Sequence, residues 1–219
     1  MPNPQLDYGL VNKFNPSVSI IMPTWRRDVK TISRAIDCVI LQTIGNWELL
    51  ICSDGCQEEH VLNLVQSKED ARIRYFHLDG KVDGDYGNRC RQAMLEQANG
   101  EFVLFFDDDN LILPRYLEEM TDAIDSASIE ELVVDFAVCQ VVHFGPLNAM
   151  EIGRAPKILN GKPMKLFHID TLQVVCRTST MKELGWKQGD GYLADGKTFE
   201  ALGASRRGVW VNEMLGFHM

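Results

Sequence analysis

Short apolar runs alternate with segments of helical periodicity along the first half of the chain. Strands buried between two layers of helices carry few polar positions, so each continuous apolar run predicts a buried strand. Four such strands are predicted, at residues 17–23, 47–55, 73–78 and 102–106. Apolar residues spaced as on one helix face predict helices at residues 28–40, 61–65 and 88–98, the last ended by Asn99 and Gly100 as a C-terminal cap. This alternation is typical of an α/β fold with a mostly parallel sheet flanked by helices.

The second half of the chain is less regular. Periodicity predicts helices at residues 113–124 and 179–185, and apolar runs predict strands at residues 131–142, 171–177 and 208–213. Residues 145–165 contain several glycines and prolines, which indicate a long loop or a hairpin.

Composition and charge narrow the classes of function. The formal net charge of −9 makes a general affinity for nucleic acids or anionic membranes unfavourable. No apolar run is long enough to cross a bilayer, and the first residues lack the apolar core of a signal peptide. The six cysteines are scattered without paired metal-ligand spacing, which predicts free thiols in a reducing compartment. We therefore expect a cytoplasmic protein, with peripheral membrane attachment and homo-oligomerisation left open.

An acidic cluster follows the fourth predicted strand directly. Asp107, Asp108 and Asp109 come after the buried run FVLFF. In open α/β sheets, ligands bind at the carboxyl ends of the strands, where these side chains would lie. Hard carboxylate oxygens suit Mg²⁺ or Mn²⁺, and a divalent cation would remove their mutual repulsion. The competing interpretation is a solvated acidic turn that caps the next helix.

Several motifs, in the same order along the chain, resemble the family 2 glycosyltransferases of GT-A fold. The segments are VSIIMPTWRR, WELLICSDG, RQAMLEQANGEFVLFFDDDN and VVCRTSTMKELGW, followed by YLADGKTFEAL. The resemblance extends from about residue 18 to the end of the chain. It implies a Rossmann-like, mixed and mostly parallel sheet in a single domain over residues 1–219. Residues from about 17 to 110 would bind a nucleotide-sugar, and residues from about 111 to 219 would bind the acceptor.

The resemblance implies a nucleotide site at the ends of the first strands. Its loop after the first strand would cradle the base through Pro23, Thr24 and Trp25. Asp54 occupies the place of an aspartate that hydrogen-bonds the base, commonly uracil, so a UDP-sugar is the expected donor, with GDP and dTDP sugars left open. Arg91 matches the arginine near the phosphates, and Arg89 is the alternative.

The resemblance also implies roles for the residues of the acidic cluster. Asp109 would be a metal ligand with Asp107, while Asp107 and Asp108 would lie near the ribose and metal-bound water. Asn110 stands where the family often has a fourth acidic residue. A histidine near the end of the fold often completes the metal site, which indicates His218, with His168 as the second candidate.

Transfer also needs a base for the acceptor hydroxyl. The resemblance places Asp195 in that role, although Ala194 replaces the usual glutamate before it, and Asp190 is the alternative. The expected function is a metal-dependent inverting glycosyltransferase that uses Mn²⁺ or Mg²⁺ and a hydroxyl-bearing acceptor such as a carbohydrate. Two other functions are alternatives to this one. A nucleotidyltransferase should have a glycine-rich loop after the first strand, which is missing here, and a catalytically silent nucleotide-sugar-binding domain or subunit stays open.

Overall fold

The computed structural model describes residues 4–9, 15–129, 131–144 and 156–219. The elements follow one another as β1 (Gln5–Tyr8), β2 (Val18–Thr24), α1 (Val29–Ile40), β3 (Trp47–Gly55), α2 (Glu59–Ser67), β4 (Ile73–Asp79), α3 (Asn88–Gln97) and β5 (Phe102–Phe105). They continue as β6 (Leu111–Ile112), α4 (Tyr116–Ala127), β7 (Phe136–His143), β8 (Lys157–Leu159), β9 (Val174–Arg177), α5 (Thr178–Leu184), α6 (Ala194–Ser205) and β10 (Gly208–His218). Short 3-10 turns at Thr171–Gln173 and Gly191–Leu193 precede β9 and α6.

One mixed sheet contains strands from both halves of the chain. Its order is β1-β4-β3-β2-β5-β9-β7-β10-β6, with β8 paired to β7. The strands β4, β3, β2 and β5 are mutually parallel, so their carboxyl ends meet at one edge. Strand β9 joins β5 in the antiparallel sense, while β10 runs parallel to β7. This is the mixed, mostly parallel α/β sheet that the sequence predicts.

Helices cover both faces of the sheet and build two apolar clusters. One face packs against α1, α2 and α4, and its largest buried side chains include Trp47 and Tyr116. The opposite face packs against α3, α5 and α6 and includes Phe105, Trp186 and Phe199. Burial on both faces explains why β2 is buried at every position. Within the described ranges, no helix is long and apolar enough to cross a membrane.

A short pairing places the end of the chain beside the acidic cluster. Strand β6 follows the aspartates directly and pairs antiparallel with β10 at Gly216 and Phe217. The backbone N–H of Met219 donates to Asn110 Oδ1 at 3.3 Å. His218 is therefore held next to the carboxyl end of β5 by backbone pairing.

The observed elements differ from the sequence prediction at particular points. The edge strands β1, β6 and β8 were not predicted, and β7 begins at Phe136 rather than at residue 131. The predicted cap at Asn99 and Gly100 is wrong, because α3 ends at Gln97 with Ala98 as its C-cap. Of the predicted loop or hairpin at 145–165, residues 145–155 lie outside the described residues, and the remainder includes β8.

Candidate functional site

A cavity of about 580 Å³ opens at the carboxyl edge of the parallel strands. It brings together all the site residues chosen from the sequence: Pro23, Thr24, Trp25, Asp54, Arg91, Asp107, Asp108, Asp109, Asp195 and His218. The alternatives Arg89, His168 and Asp190 are not among its lining residues. Topology explains the gathering, because β2, β3 and β5 end side by side and β10 pairs with β6, the short strand after the acidic cluster.

Arg27 binds two carboxylates of the acidic cluster. Its Nε lies 2.9 Å from Asp108 Oδ1, and its Nη2 lies 2.9 Å from Asp109 Oδ2. Thr24 Oγ1 donates to the other oxygen of Asp108 at 2.7 Å. Asp108 is buried, and burial raises its pKa to about 6 although Thr24 and Arg27 counteract the shift. Asp108 therefore ties β2 to β5, and its oxygens are already engaged.

Asp107 and Asp109 are the more accessible members of the cluster. Their side chains are 24% and 26% exposed, against 6% for Asp108. Asp107 Oδ1 accepts a hydrogen bond from Arg91 Nη2, and Arg91 Nη1 donates to the Tyr86 carbonyl at 2.8 Å. Burial raises the pKa of Asp109, with Arg27 opposing that shift and Asp107 adding to it. The two accessible carboxylates thus face the cavity with arginines at their sides.

At the end of β3, Asp54 is buried and paired with cations. Lys81 Nζ is bound to Asp54 Oδ2, and Arg89 Nε lies 3.4 Å from Asp54 Oδ1. Lys81 also lies over the Trp25 ring, with its Nζ 5.0 Å from the centroid. These groups line or border one end of the cavity as an aromatic face beside a carboxylate–ammonium pair. Such a set can stack on a planar base and hydrogen-bond its edge.

Asp195 lies in the first turn of α6 and faces the cavity. Its Oδ1 accepts the Gly196 N–H at 2.7 Å, and its Oδ2 accepts from Thr171 Oγ1 at 3.3 Å. Burial raises the pKa of Asp195 to about 6, and the carboxylates of Asp170 and Asp107 act in the same direction. A carboxylate with a pKa close to neutrality is suited to accept a proton from a hydroxyl. Asp190, by contrast, is paired with Lys197 at 2.5 Å.

His218 belongs to a cluster with two residues that the sequence did not single out for the site. Its Nδ1 lies 2.9 Å from Asp170 Oδ2, and its ring stacks on His143 with centroids 4.1 Å apart. Burial lowers the pKa of His218, but the Asp170 carboxylate, helped by Asp107 and Asp109, outweighs burial and raises it to about 9. One ligand atom each of His143, Asp170 and His218 falls within 4.8 Å of the others.

The carboxylates and imidazole that line the cavity are donor types that suit a divalent cation. Asp107 and Asp109 supply carboxylate oxygens at the cavity wall, and His218 supplies an imidazole nitrogen on the neighbouring strand. Carboxylates suit Mg²⁺ and Mn²⁺, and an imidazole favours the transition metal among them. The raised pKa of Asp109 comes mainly from burial, which Arg27 opposes only in part.

Sequence reasoning missed the residues that pair with the predicted site residues. Arg27, Lys81 and Asp170 line the cavity and pair with the predicted site residues. Arg27 could have been found from its position two residues after Trp25, directly beyond the first predicted strand. The pairing of Asp170 with His218 joins residues far apart along the chain, so no local sequence pattern predicts it.

Comparison with protein families gives an independent result. The family described as "Glycosyl transferase family 2" matches residues 19–175 of the chain. This range contains the parallel strands, the acidic cluster and Asp170, while Asp195 and His218 lie beyond it.

Two bacterial relatives are similar to about half of the chain. The UDP-Glc:alpha-D-GlcNAc-diphosphoundecaprenol beta-1,3-glucosyltransferase WfgD of Escherichia coli is 35% identical over 101 residues, covering 46% of this chain and 38% of the relative. The GalNAc(5)-diNAcBac-PP-undecaprenol beta-1,3-glucosyltransferase of Campylobacter jejuni is 35% identical over 107 residues, covering 48% and 33%. The matched regions thus span about a third of the length of these curated relatives.

A solved structure shares the fold over nearly the whole chain. The S. aureus TarS fragment 1-349 in complex with UDP-GlcNAc superimposes with a TM-score of 0.66 at 19% identity. The match covers 92% of this chain and 58% of the TarS fragment. The likeness establishes the same architecture, including the second half that follows the acidic cluster.

Proposed function

The chain belongs to glycosyl transferase family 2, and from this premise we propose that its cavity moves a sugar from a nucleoside diphosphate to an acceptor hydroxyl with inversion. The observation that carries the proposal is the shared cavity of the acidic cluster and Asp195. A donor-binding carboxylate cluster and a separate carboxylate with a raised pKa are the two parts that such a transfer needs.

A UDP-sugar is the proposed donor. Trp25 offers a ring face for the uracil, and Asp54 offers a carboxylate for its imide N–H once Lys81 turns to a carbonyl oxygen. Arg91 is positioned to meet a phosphate or the ribose beside Asp107. The name of the Escherichia coli relative specifies UDP-Glc, and the TarS structure contains UDP-GlcNAc, which supports the same base here.

Asp107, Asp109 and His218 would hold Mn²⁺ or Mg²⁺, and the bound cation would neutralise charge on the leaving diphosphate. The residues of the chain supply the rest. Asp195 accepts the proton of the acceptor hydroxyl as its oxygen bonds to the anomeric carbon. The bond from that carbon to the diphosphate oxygen breaks, and the nucleoside diphosphate leaves with the electron pair. A single displacement of this kind inverts the anomeric configuration.

The proposed acceptor is a sugar carried on a lipid diphosphate. Both bacterial relatives are named for acceptors linked to undecaprenol through a diphosphate. Such an acceptor lies at a membrane surface, so we propose a peripheral association with the membrane.

Hydrolysis of the donor tests the proposal without a known acceptor. We expect slow release of UDP from UDP-glucose or UDP-N-acetylglucosamine in the presence of Mn²⁺, abolished in Asp109→Ala. Asp195→Asn should retain UDP binding but lower turnover by about 10²–10⁴-fold. Asp190→Asn is the matched control, because Asp190 is paired with Lys197 and does not line the cavity.

A second function is suggested by one residue that differs from the family pattern. Ala194 is buried where the family pattern has a glutamate next to the base, so a catalytically silent nucleotide-sugar-binding domain is the competing proposal. Binding of UDP without any turnover of a donor panel would establish the silent domain. Absence of UDP binding with Mn²⁺ present would exclude both.

A further inference from the structure

Two exposed tyrosines stand opposite each other at the mouth of the cavity. The rings of Tyr86 and Tyr192 meet edge to face, with centroids 5.8 Å apart and planes inclined at 73°. Both residues line the cavity, yet they are 61% and 60% exposed. Most of their apolar ring surface is thus left in water at the entrance of a polar site, where it adds little to the stability of the fold.

The backbone fixes both rings in place. Tyr86 has a φ of +54°, a left-handed conformation that is unusual for an aromatic residue, and its carbonyl accepts from Arg91 Nη1 at 2.8 Å. Asn88 Nδ2 donates to the Gly191 carbonyl at 2.9 Å and joins the two segments. Gly191 has a φ of +58°, and a Cβ there would lie 3.2 Å from the Gly84 carbonyl oxygen. The pair is therefore held as a preformed bracket, here called the tyrosine bracket.

The tyrosine bracket lies between the two chemical parts of the site. Tyr86 is joined through its carbonyl to Arg91, which binds Asp107 on the donor side. Tyr192 lies in the 3-10 turn that leads into α6, directly before the turn that carries Asp195. Burial raises the pKa of Tyr192, and the carboxylates of Asp195 and Asp170 add to the effect.

We propose that the tyrosine bracket is an acceptor subsite for a pyranose ring, which places a sugar hydroxyl against Asp195. A pyranose has C–H groups on its faces and hydroxyls around its rim. The electron-rich faces of tyrosine attract those C–H groups, while carboxylates and tyrosine hydroxyls accept and donate at the rim. A simple alcohol or a serine side chain has no such face, so the bracket selects a carbohydrate acceptor. This inference rests on the proposed function and names the residues that would bind the sugar of its acceptor.

Binding of free glycosides tests the subsite directly. The probes are methyl α- and β-glucopyranosides and methyl N-acetyl-β-glucosaminide, with 2-propanol as the non-sugar alcohol, measured by saturation-transfer NMR in the presence of UDP and Mn²⁺. We expect a saturation-transfer signal, which reports binding, for at least one glycoside and none for 2-propanol. Tyr86→Ala and Tyr192→Ala should each weaken that binding about tenfold, as the loss of one ring contact implies.

Conservative variants and a remote control complete the design. Tyr192→Phe keeps the ring and should retain most of the glycoside binding, whereas a role of the hydroxyl alone would make it as weak as Tyr192→Ala. Trp210→Ala removes a half-exposed aromatic ring outside the cavity and should leave binding unchanged. UDP affinity should stay within about twofold in all these variants, because a larger loss in a tyrosine variant would mean a disturbed donor site.

The outcomes separate this inference from the proposed function. If wild-type protein binds UDP but no glycoside, or if both alanine variants bind glycosides as the wild type does, the tyrosine bracket is not an acceptor subsite. Failure of the wild type to bind UDP would instead overturn the proposed donor, and with it the function on which the subsite depends.

Discussion

At the scale of single residues, Asp195 gives the most direct prediction of pH dependence. Burial raises its pKa to about 6, and the base must be ionised to accept a proton. Transfer or donor hydrolysis should therefore be constant above about pH 7 and fall towards tenfold per pH unit below about pH 6. The measurement is the pH profile of kcat/KM for the donor between pH 5 and pH 8.

Asp108 requires a control in that experiment, because burial also raises its pKa to about 6. Asp108 lies on the donor side, tied to Thr24 and Arg27, so its protonation should alter UDP affinity rather than the chemical step. UDP affinity measured over the same pH range separates the two carboxylates. A kcat/KM that stays constant down to pH 5 would show that Asp195 is not the base.

The buried position of Asn110 disfavours a fourth charge in the acidic cluster. It is fully buried, its Oδ1 accepts the Met219 N–H, and its Nδ2 finds no partner among the described residues. Asn110→Asp would place an unpaired carboxylate beside three others. We expect a loss of about 3 kcal/mol in the free energy of unfolding at pH 7, as for other uncompensated buried charges.

The sign of the pH dependence follows from the raised pKa expected for that buried carboxylate. Its pKa in the folded protein would exceed the unfolded value of about 3.9, so the penalty is fully present above the folded pKa and vanishes below the unfolded one. Urea denaturation at pH 7 and pH 5 should show the variant approaching wild type at the lower pH. The exposed Asn63→Asp is the matched control. Equal stability of Asn110→Asp and wild type at pH 7 would contradict this account.

At the scale of elements, the contact between β5 and β2 depends on one glycine. A Cβ at Gly100 would lie 2.5 Å from the Ser19 nitrogen and 2.7 Å from the Val18 carbonyl carbon. Its N–H also donates to Ser19 Oγ at 2.8 Å. Since backbone atoms cannot move aside cheaply, Gly100→Ala should lower the free energy of unfolding by at least about 2 kcal/mol.

Gly45→Ala provides the comparison for that substitution. The nearest atom to a Cβ at Gly45 is Arg72 Nη1 at 3.7 Å, so stability should change by less than about 0.5 kcal/mol. Denaturant titrations of both variants check the prediction. A Gly100→Ala protein as stable as Gly45→Ala would show that the close approach of β5 to β2 can relax.

The elements also show what the sequence could predict and why. The apolar runs at β2, β3, β4 and β5 are recognisable because burial on both faces leaves a continuous pattern. Strands β1, β6 and β8 are only 4, 2 and 3 residues long, and their pairing partners rather than their composition make them strands. Gly100 was interpreted as a helix cap because local sequence cannot distinguish a turn from a close approach to a distant backbone.

The same limit applies to the site. Asp107 and Asp109 are predictable because they follow an apolar run, and strand ends meet at one edge of a parallel sheet. Asp54 is predicted from the family resemblance. Their partners Arg27 and Lys81 depend on which loops lie side by side. His143 lines the cavity beside His218, because its strand β7 runs parallel to β10 and the two histidines are paired in register.

At the scale of the whole molecule, donor binding should be measurable as stability. The cavity draws residues from both halves of the chain, and one sheet connects them, so a ligand that binds only the folded state stabilises the entire described structure. UDP at one hundred times its Kd, with Mn²⁺ present, should add about 2.7 kcal/mol to the free energy of unfolding. Removal of the metal with EDTA should abolish most of this increase in the free energy of unfolding. The carboxylates of Asp107 and Asp109 would then repel the diphosphate.

Variants locate that gain in the proposed donor site. Trp25→Ala removes the stacking face and should shrink the UDP-dependent stabilisation, whereas Trp210→Ala, outside the cavity, should preserve it. The measurement is urea denaturation with and without UDP, Mn²⁺ and EDTA. Stabilisation by UDP that persists in both Trp25→Ala and Asp109→Ala would place the nucleotide elsewhere, because neither the base-stacking face nor the accessible carboxylate would then contribute to binding.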